Sequence, residues 1–307
     1  MPDELRFDGR VAIVTGAGGG LGRAHARLLA DRGARVLVND VGSSERDGTG
    51  AMGLGLAAAV AEEIAASGGE AIANTDTVAT AEGGAALVAQ AVDEWGHVDI
   101  VVNNAGITGR GALAELDVYE RVFATHIFGT VNVLRAAWPH FVEQDYGRVV
   151  NTCSSSMFGT PGSGDYASAK GATFGLSRVL ATDNRDRNVK INVLMPIAFT
   201  RMTAAMPHQE YVDWFEKWFQ PEKVSAFVAC LCHESVECSG EAFTVGGGRA
   251  ARVVFATTRG YFDADPSPEA FRDRFDEVMA GEDQRHSPTG LGDLARFTEL
   301  LPERGPF

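Results

Sequence analysis

The chain has 307 residues, 45% hydrophobic and 22% charged, enough to bury a sizeable core in one large domain or two small ones. Its 41 Asp and Glu against 27 Lys and Arg leave a net charge of −14, which excludes a general partnership with nucleic acid or an anionic membrane surface. No apolar run is long enough to cross a bilayer, Met1–Arg10 lacks a basic-then-apolar signal, and the final Gly-Pro-Phe spells no peroxisomal address, so a cytoplasmic protein is expected.

Short apolar runs alternate with longer helical patterns. Val11–Val14 reads as a strand, then come glycines and the amphipathic stretch Leu21–Asp31. Arg35–Asp40 is the second strand, and the Gly- and Ser-rich Val41–Leu56 reads as an inserted surface loop. A helix at Ala57–Ala66 and a strand at Ala71–Asn74 follow, then a helix at Ala85–Trp95 and the strand Val98–Asn103. Beyond them the pattern predicts a helix over Val122–His140, the strand Arg148–Thr152, a helix over Ala167–Asn184 and the strand Lys190–Leu194. Met202–Gln220 holds Tyr211, Trp214, Phe215, Trp218 and Phe219, a high aromatic density for a connection. A second helical signal covers Pro268–Met279, before a tail punctuated by Gly and Pro. The strands are continuously apolar rather than alternating, as in a parallel sheet covered on both faces. The predicted fold is therefore α/β, a doubly wound parallel sheet of the Rossmann type over residues 1–248. Residues 249–307 read as a C-terminal extension packed on the same domain or on a partner subunit.

Cys153, Cys230, Cys232 and Cys238 are too few for a disulfide framework. Cys230, Cys232 and His233 crowd together, but no second ligand pair answers them, so no metal site is expected.

The strand Val11–Val14 runs through Thr15, Gly16, Ala17, Gly18, Gly19, Gly20, Leu21 and Gly22 straight into a helix. Glycines in that position permit a tight turn and let backbone N–H groups approach a pyrophosphate at the positive end of the helix. Asp40 stands eighteen residues beyond Gly22, at the end of the second strand. A carboxylate at that station accepts hydrogen bonds from ribose hydroxyls and repels a 2′-phosphate, and neither Ala17 nor Val41 offers a cation to hold one. NAD is thus expected over NADP; Arg46, in the insert, is the one residue that complicates the choice, and Asp40 could also simply end a surface strand.

Further motifs complete a pattern: Asn103-Asn104-Ala105-Gly106 after the fourth strand, a serine cluster at Ser154–Ser156, and Tyr166-Ala167-Ser168-Ala169-Lys170 opening a helix. Together with Thr15–Gly22 these resemble the short-chain dehydrogenase/reductase family. Asn39-Asp40-Val41-Gly42, Ala137-Trp138, Arg201-Met202-Thr203 and Leu231-Cys232-His233-Glu234-Ser235 are similar, within that family, to the (3R)-hydroxyacyl-CoA dehydrogenase domain of multifunctional enzymes, also known as a 17β-hydroxysteroid dehydrogenase. The resemblance reaches as far as Ser267-Pro268-Glu269-Ala270.

Tyr166 and Lys170 are one helical turn apart on one face. A lysine ammonium there is expected to lower the phenol pKa, so that Tyr166 moves the hydroxyl proton while hydride is exchanged with a nicotinamide. The resemblance also gives Lys170 the nicotinamide ribose. For the hydroxyl that orients the substrate oxygen, the family's usual spacing before the tyrosine lands on Cys153, whereas counting from the strand start lands on Ser154. Ser154 is taken as catalytic because only a hydroxyl donor suits the role, with Ser155 the runner-up and substrate contact, and Ser156 structural. His126 stands where the family carries a catalytic asparagine; it either anchors a relay water through its backbone or ring, or is a satisfied core histidine. The resemblance further assigns Asp76 and Thr77 to the adenine, Asn104, Ala105 and Gly106 to the cofactor crevice, and Pro196 and Thr200 to the nicotinamide end.

The expected activity is NAD-dependent oxidation of a secondary alcohol, a (3R)-3-hydroxyacyl-CoA, with a hydroxysteroid or steroid-CoA dehydrogenase as the rival. A nucleotide-sensing regulator without turnover is the remaining alternative, and the Tyr166/Lys170 pair argues against it. Tyr211–Phe219, with Trp214, can close as an apolar lid over the substrate, or serve as core packing or a subunit contact. An acidic molecule that takes a CoA thioester needs local cations at the pocket mouth, for which Arg110, Arg201 and Lys217 are the candidates. By resemblance the chain pairs through the helices near Val122–His140 and Ala167–Asn184 into a homodimer or homotetramer.

Overall fold

The computed structural model describes residues 4–42, 55–109, 113, 115–200 and 208–286. Strands β1 (Val11–Thr15), β2 (Arg35–Asn39), β3 (Glu70–Asn74), β4 (Ile100–Asn103), β5 (Gly147–Thr152), β6 (Val189–Pro196), β7 (Ala242–Gly246) and β8 (Arg249–Val253) form one sheet in the order β3-β2-β1-β4-β5-β6-β7-β8. All pairings from β3 across to β7 are parallel. The strand order reverses between β1 and β4, which opens a crevice at their C-terminal ends.

Alternate residues of each strand feed separate cores. Ala12, Val14, Val36, Val38, Ile100 and Val102 pack with helices α1 (Gly20–Asp31), α2 (Gly55–Ala66) and α8 (Pro221–Cys232). Val11, Ile13, Leu37, Val101, Val149 and Ile191 pack on the opposite side with α3 (Ala81–Trp95), α5 (Gly129–Glu143) and the end of α6 (Gly164–Asp183). With both faces buried, no polar alternation survives in the strands.

The helix expected over Val122–His140 is two, α4 (Leu116–Phe123) and α5, joined through a π-helical turn at Ala124–Phe128. α3 begins at Ala81, where Thr80 Oγ1 accepts the Gly83 N–H at 3.1 Å, and α6 begins at Gly164 rather than Ala167. Helix α7 (Gln209–Trp218) carries the aromatic segment, and α8, β7 and β8 extend the pattern past the last strand read from the sequence.

Two compact units divide the chain, residues 1–252 and 253–307, so the first runs four residues beyond the expected limit of 248. In the second, β9 (Ala256–Thr257) pairs antiparallel with β10 (Arg285–His286). The helix expected over Pro268–Met279 is broken at Arg274 into α9 (Pro268–Asp273) and α10 (Phe275–Val278). Arg46 and most of the 41–56 insert, Arg110, Arg201 and the tail after residue 286 lie outside the described residues.

Candidate active site

β1 passes to α1 through glycines that make room for backbone and ligand. Gly16 has φ +62°, and a Cβ on it would lie 2.7 Å from Ala105 Cα; a Cβ on Gly18 would lie 2.8 Å from the Asp40 carboxyl carbon, and one on Gly22 would collide with the Gly16 carbonyl. At Gly19, the residue capping α1, a Cβ would meet nothing within 4 Å. No side chain caps this helix and its first turn holds no carboxylate. The positive helix end therefore faces an open cradle suited to an anion. A Cβ on Gly20 would lie 3.6 Å from the Thr200 methyl, and Leu21 packs behind against the core.

Asp40 spans the turn: Oδ2 accepts the Gly18 N–H at 2.9 Å and Oδ1 the Gly42 N–H at 2.8 Å. Asp76 is held by the end of β3, its Oδ2 accepting from Asn74 Nδ2 at 2.8 Å and its N–H donating to Asn74 Oδ1 at 3.0 Å. Thr77 Oγ1 accepts the Ala79 N–H at 3.2 Å. Across the crevice, Thr15 Oγ1 accepts the N–H groups of Asn104 and Ala105, both at 3.0 Å. Asn104 Nδ2 returns bonds to the carbonyls of Thr15 at 2.9 Å and Gly16 at 3.0 Å, so the loops after β1 and β4 are tied together. An open phosphate cradle, a carboxylate beside it and a walled crevice fit a dinucleotide.

Asp165 is fully buried, and its Oδ1 accepts the Tyr166 N–H at 2.7 Å, fixing the first turn of α6. Lys170, one turn on, is also buried; its Nζ lies 5.5 Å from the Tyr166 ring centroid and donates to the Thr152 carbonyl at 2.5 Å. Burial pushes Lys170 down to about 8. The Tyr166 phenol is raised by burial, against a hydrogen bond with Ser154 that favours ionisation. Burial is the largest influence on the phenol, and the Lys170 ammonium is turned onto the Thr152 carbonyl.

Ser154 heads the short 3₁₀ turn Ser155–Phe158 and its Oγ accepts the Ser156 N–H at 3.1 Å. Ser154 meets Tyr166, whereas Ser155 is exposed. Cys153 is buried with Sγ 3.1 Å from the Lys170 carbonyl, on the core side of the strand end.

His126 sits in the π-helical turn with its ring edge-on to Tyr166 at a centroid distance of 5.2 Å. Nε2 lies 2.8 Å from the Ile107 carbonyl and 3.1 Å from its N–H, and we assign the hydrogen to Nε2 on the shorter contact. Nδ1 is buried without a hydrogen-bond partner. Burial, helped by Lys170, holds the ring neutral with its pKa pushed down to about 3. Gly106 rests on the ring, where a Cβ would meet Cε1 at 2.5 Å, and the His126 carbonyl accepts Thr130 Oγ1 at 2.8 Å.

Pro196 ends β6, and past Ile197 and Ala198 the Phe199 N–H donates to the Phe219 carbonyl at 2.6 Å. The end of α7 is thereby pinned beside Thr200. Trp214 is 50% exposed and contacts Phe215 and Phe219 at 5.4 and 4.9 Å. Among the described residues no group of His, Cys, Asp and Glu could hold a metal ion.

Residues that the motifs did not indicate are Asp165 and a buried amide chain. In that chain Asn39 Nδ2 donates to Asn74 Oδ1 at 2.7 Å, and Asn74 Nδ2 to Gln90 Oε1 at 2.7 Å. The readable signal was an asparagine at the C-terminal end of an apolar strand, repeated at Asn39, Asn74 and Asn103.

The short chain dehydrogenase family model matches residues 10–210. A short-chain type dehydrogenase/reductase of Mycobacterium tuberculosis is 44% identical over 273 residues, covering 88% of this chain and 93% of that protein. The peroxisomal multifunctional enzyme type 2 of Mus musculus is 39% identical over 287 residues, 91% of this chain but only 38% of the enzyme's length. Among solved structures, a 7α-hydroxysteroid dehydrogenase complexed with NADH and 7-oxo glycochenodeoxycholic acid matches with a TM-score of 0.69 and 27% identity, over 79% of this chain and 95% of that one. The fold, the glycine turn and the matched span make one assignment: the chain is an oxidoreductase of the short-chain dehydrogenase/reductase family.

Proposed function

We propose that the chain oxidises a secondary alcohol with NAD, the substrate being a (3R)-3-hydroxyacyl-CoA taken to the 3-ketoacyl-CoA. The observation that carries the reading is the meeting of Ser154, Tyr166 and Lys170 at the crevice beside the Gly16–Gly22 cradle. Bound NAD supplies the hydride acceptor and a positive charge beside the phenol. Gly18, Gly19 and the start of α1 hold its pyrophosphate, Asp40 its adenosine ribose, Asp76 and Thr77 bracket its adenine, and Asn104, Ala105, Gly106, Pro196 and Thr200 line the rest. Ser154 Oγ and Tyr166 Oη grip the substrate oxygen. Tyr166, as phenolate, takes the hydroxyl proton while the carbon gives up hydride, and the C–O bond becomes a carbonyl. The nearby Lys170 ammonium stabilises that phenolate and reaches the nicotinamide ribose. His126, neutral and wedged against both Tyr166 and the Gly106–Ile107 turn, positions the phenol. Trp214 and the rest of the exposed α7 face meet the apolar body of the substrate.

The matched hydroxysteroid dehydrogenase and the half-exposed Tyr211, Trp214 and Trp218 favour a flat apolar alcohol as the second reading. Half-exposed Phe128 and Val179, beside α5 and on α6, support a homodimer or homotetramer. A substrate panel with NAD decides between the readings: 3-hydroxyacyl-CoAs of several lengths, their free acids, and hydroxysteroids. A steroid or free alcohol outpacing every thioester overturns the hydroxyacyl reading.

A further inference from the structure

Only four lysines occur in the chain: Lys170, Lys190, Lys217 and Lys223. Two of them flank one tryptophan. Lys217 Nζ lies 5.3 Å and Lys223 Nζ 5.7 Å from the ring centroid of Trp218, whose side chain is 48% exposed. Lys223 Nζ also donates to the Trp218 carbonyl at 2.9 Å, which ties the start of α8 to the end of α7.

Arg10, Arg23, Arg35 and Arg252 are each paired with a carboxylate. Neither lysine has an ion-pair partner among the described residues, and Glu216 and Glu222, their sequence neighbours, are paired with neither. In a molecule of net charge −14, these two ammonium groups stand on an exposed indole with no ion-pair partner among the described residues. Lysine beside an open aromatic face suits a ligand that carries both an aromatic ring to stack and anionic groups to pair.

The position suits the rim of the active site. Phe219, the next residue, is bonded to Phe199, one residue from Thr200, which itself faces Gly20. From there the exposed aromatic side chains of Tyr211, Trp214 and Trp218 recur along one face of α7.

We infer that Trp218, Lys217 and Lys223 form a subsite for the phosphorylated adenosine end of an acyl-CoA substrate. The base stacks on the indole, the lysines pair with the phosphates, and the aromatic face of α7 guides the pantetheine arm. The subsite rests on the hydroxyacyl-CoA reading for its physiological ligand, but its chemistry is testable without it. An adenosine polyphosphate reaches this molecule from two sources, the substrate and the nicotinamide cofactor, so the test separates them.

Adenosine 3′,5′-bisphosphate is titrated into the full-length protein with and without saturating NADH, comparing wild type with Lys217→Glu/Lys223→Glu and, separately, Trp218→Leu. The wild type is expected to bind with NADH present, and both variants to bind about tenfold more weakly. Absence of wild-type binding, equal binding by the charge-reversed variant, or displacement by NADH overturns the subsite. In parallel, the ratio of kcat/KM for a 3-hydroxyacyl-CoA to that for the same acyl group on pantetheine is expected to fall about tenfold in the charge-reversed variant. An unchanged ratio overturns the subsite. If the wild type turns over no thioester, the hydroxyacyl-CoA reading falls instead, and the bisphosphate titration still decides whether the nucleotide subsite exists.

Discussion

Tyr166 is a phenol whose buried surroundings resist its ionisation. Burial raises it, while Ser154 and the pinned first turn of α6 hold it in place. Tyr166→Phe keeps the ring and its edge-on contact with His126 and removes only the proton carrier. Its kcat is therefore expected to fall about a thousandfold while NADH still binds, read by single-turnover kinetics and a binding titration. Near-normal turnover would remove Tyr166 from the role. Ser154→Ala is expected to cost more in kcat than Ser155→Ala, because only Ser154 meets the phenol; the reverse order would reassign the substrate-orienting hydroxyl. Asp40 makes a separate case. With its carboxylate braced across Gly18 and Gly42, a 2′-phosphate would meet fixed negative charge. NAD is expected to be preferred over NADP by about tenfold in kcat/KM, equivalent to about 1.4 kcal/mol, and Asp40→Ala to narrow the gap. Equal use of both cofactors by the wild type would refute the ribose role.

At the scale of elements, α1 and α8 pack through a buried histidine. His25 Nδ1 lies 2.7 Å from Ser225 Oγ, while that hydroxyl is 3.2 Å from the Pro221 carbonyl and Nε2 has no partner. Burial pushes His25 down to about 3, below its unfolded value. The unfolded chain thus binds the extra proton between about pH 6.5 and 3, so the stabilising contribution is full above that window and is lost as pH falls through it. His25→Leu removes a titrating group and leaves Ser225 its carbonyl partner. Unfolding free energy, followed in denaturant at several pH values, is expected to lose up to about 1.4 kcal/mol per pH unit of its slope in that variant. An unchanged slope would mean that His25 is not buried neutral. The same elements show what a sequence reveals of a fold. Strands β1 to β6 were legible because both faces are apolar, and the glycine turn, Asp40 and the Tyr166/Lys170 pair because each is a short-range pattern. Helix α8 was not, since Pro221 reads as a break although it occupies the first turn, where proline is tolerated. β8 bears Arg249 and Arg252 and no buried residue, so it leaves no hydrophobic signal. The π-helical turn, the Thr15–Asn104 tie and the Asp165–Tyr166 bond depend on contacts or phase that no local spacing encodes.

On the scale of the whole molecule, a net charge of −14 opposes any polyanionic substrate at long range, but that opposition is screened beyond about 10 Å near 0.1 M salt. What remains is local contact. The kcat/KM advantage of a 3-hydroxyacyl-CoA over its free acid is therefore expected to shrink as salt rises from 0.1 to 0.5 M in steady-state assays, if cations at the mouth produce it. An advantage indifferent to salt would assign it to apolar packing along α7 instead. The sheet has a further consequence, for how damage combines. Val101 and Val102 are consecutive in β4, yet they point into different hydrophobic cores that share no residue. Truncating each to alanine costs about 2 kcal/mol by lost burial and cavity formation. Because the two cavities open on opposite sides of a continuous backbone layer, neither can relax into the other, and the double variant should lose the sum of the single losses to within about 0.5 kcal/mol. The sheet acts as a bulkhead: two residues adjacent in sequence behave, energetically, as strangers.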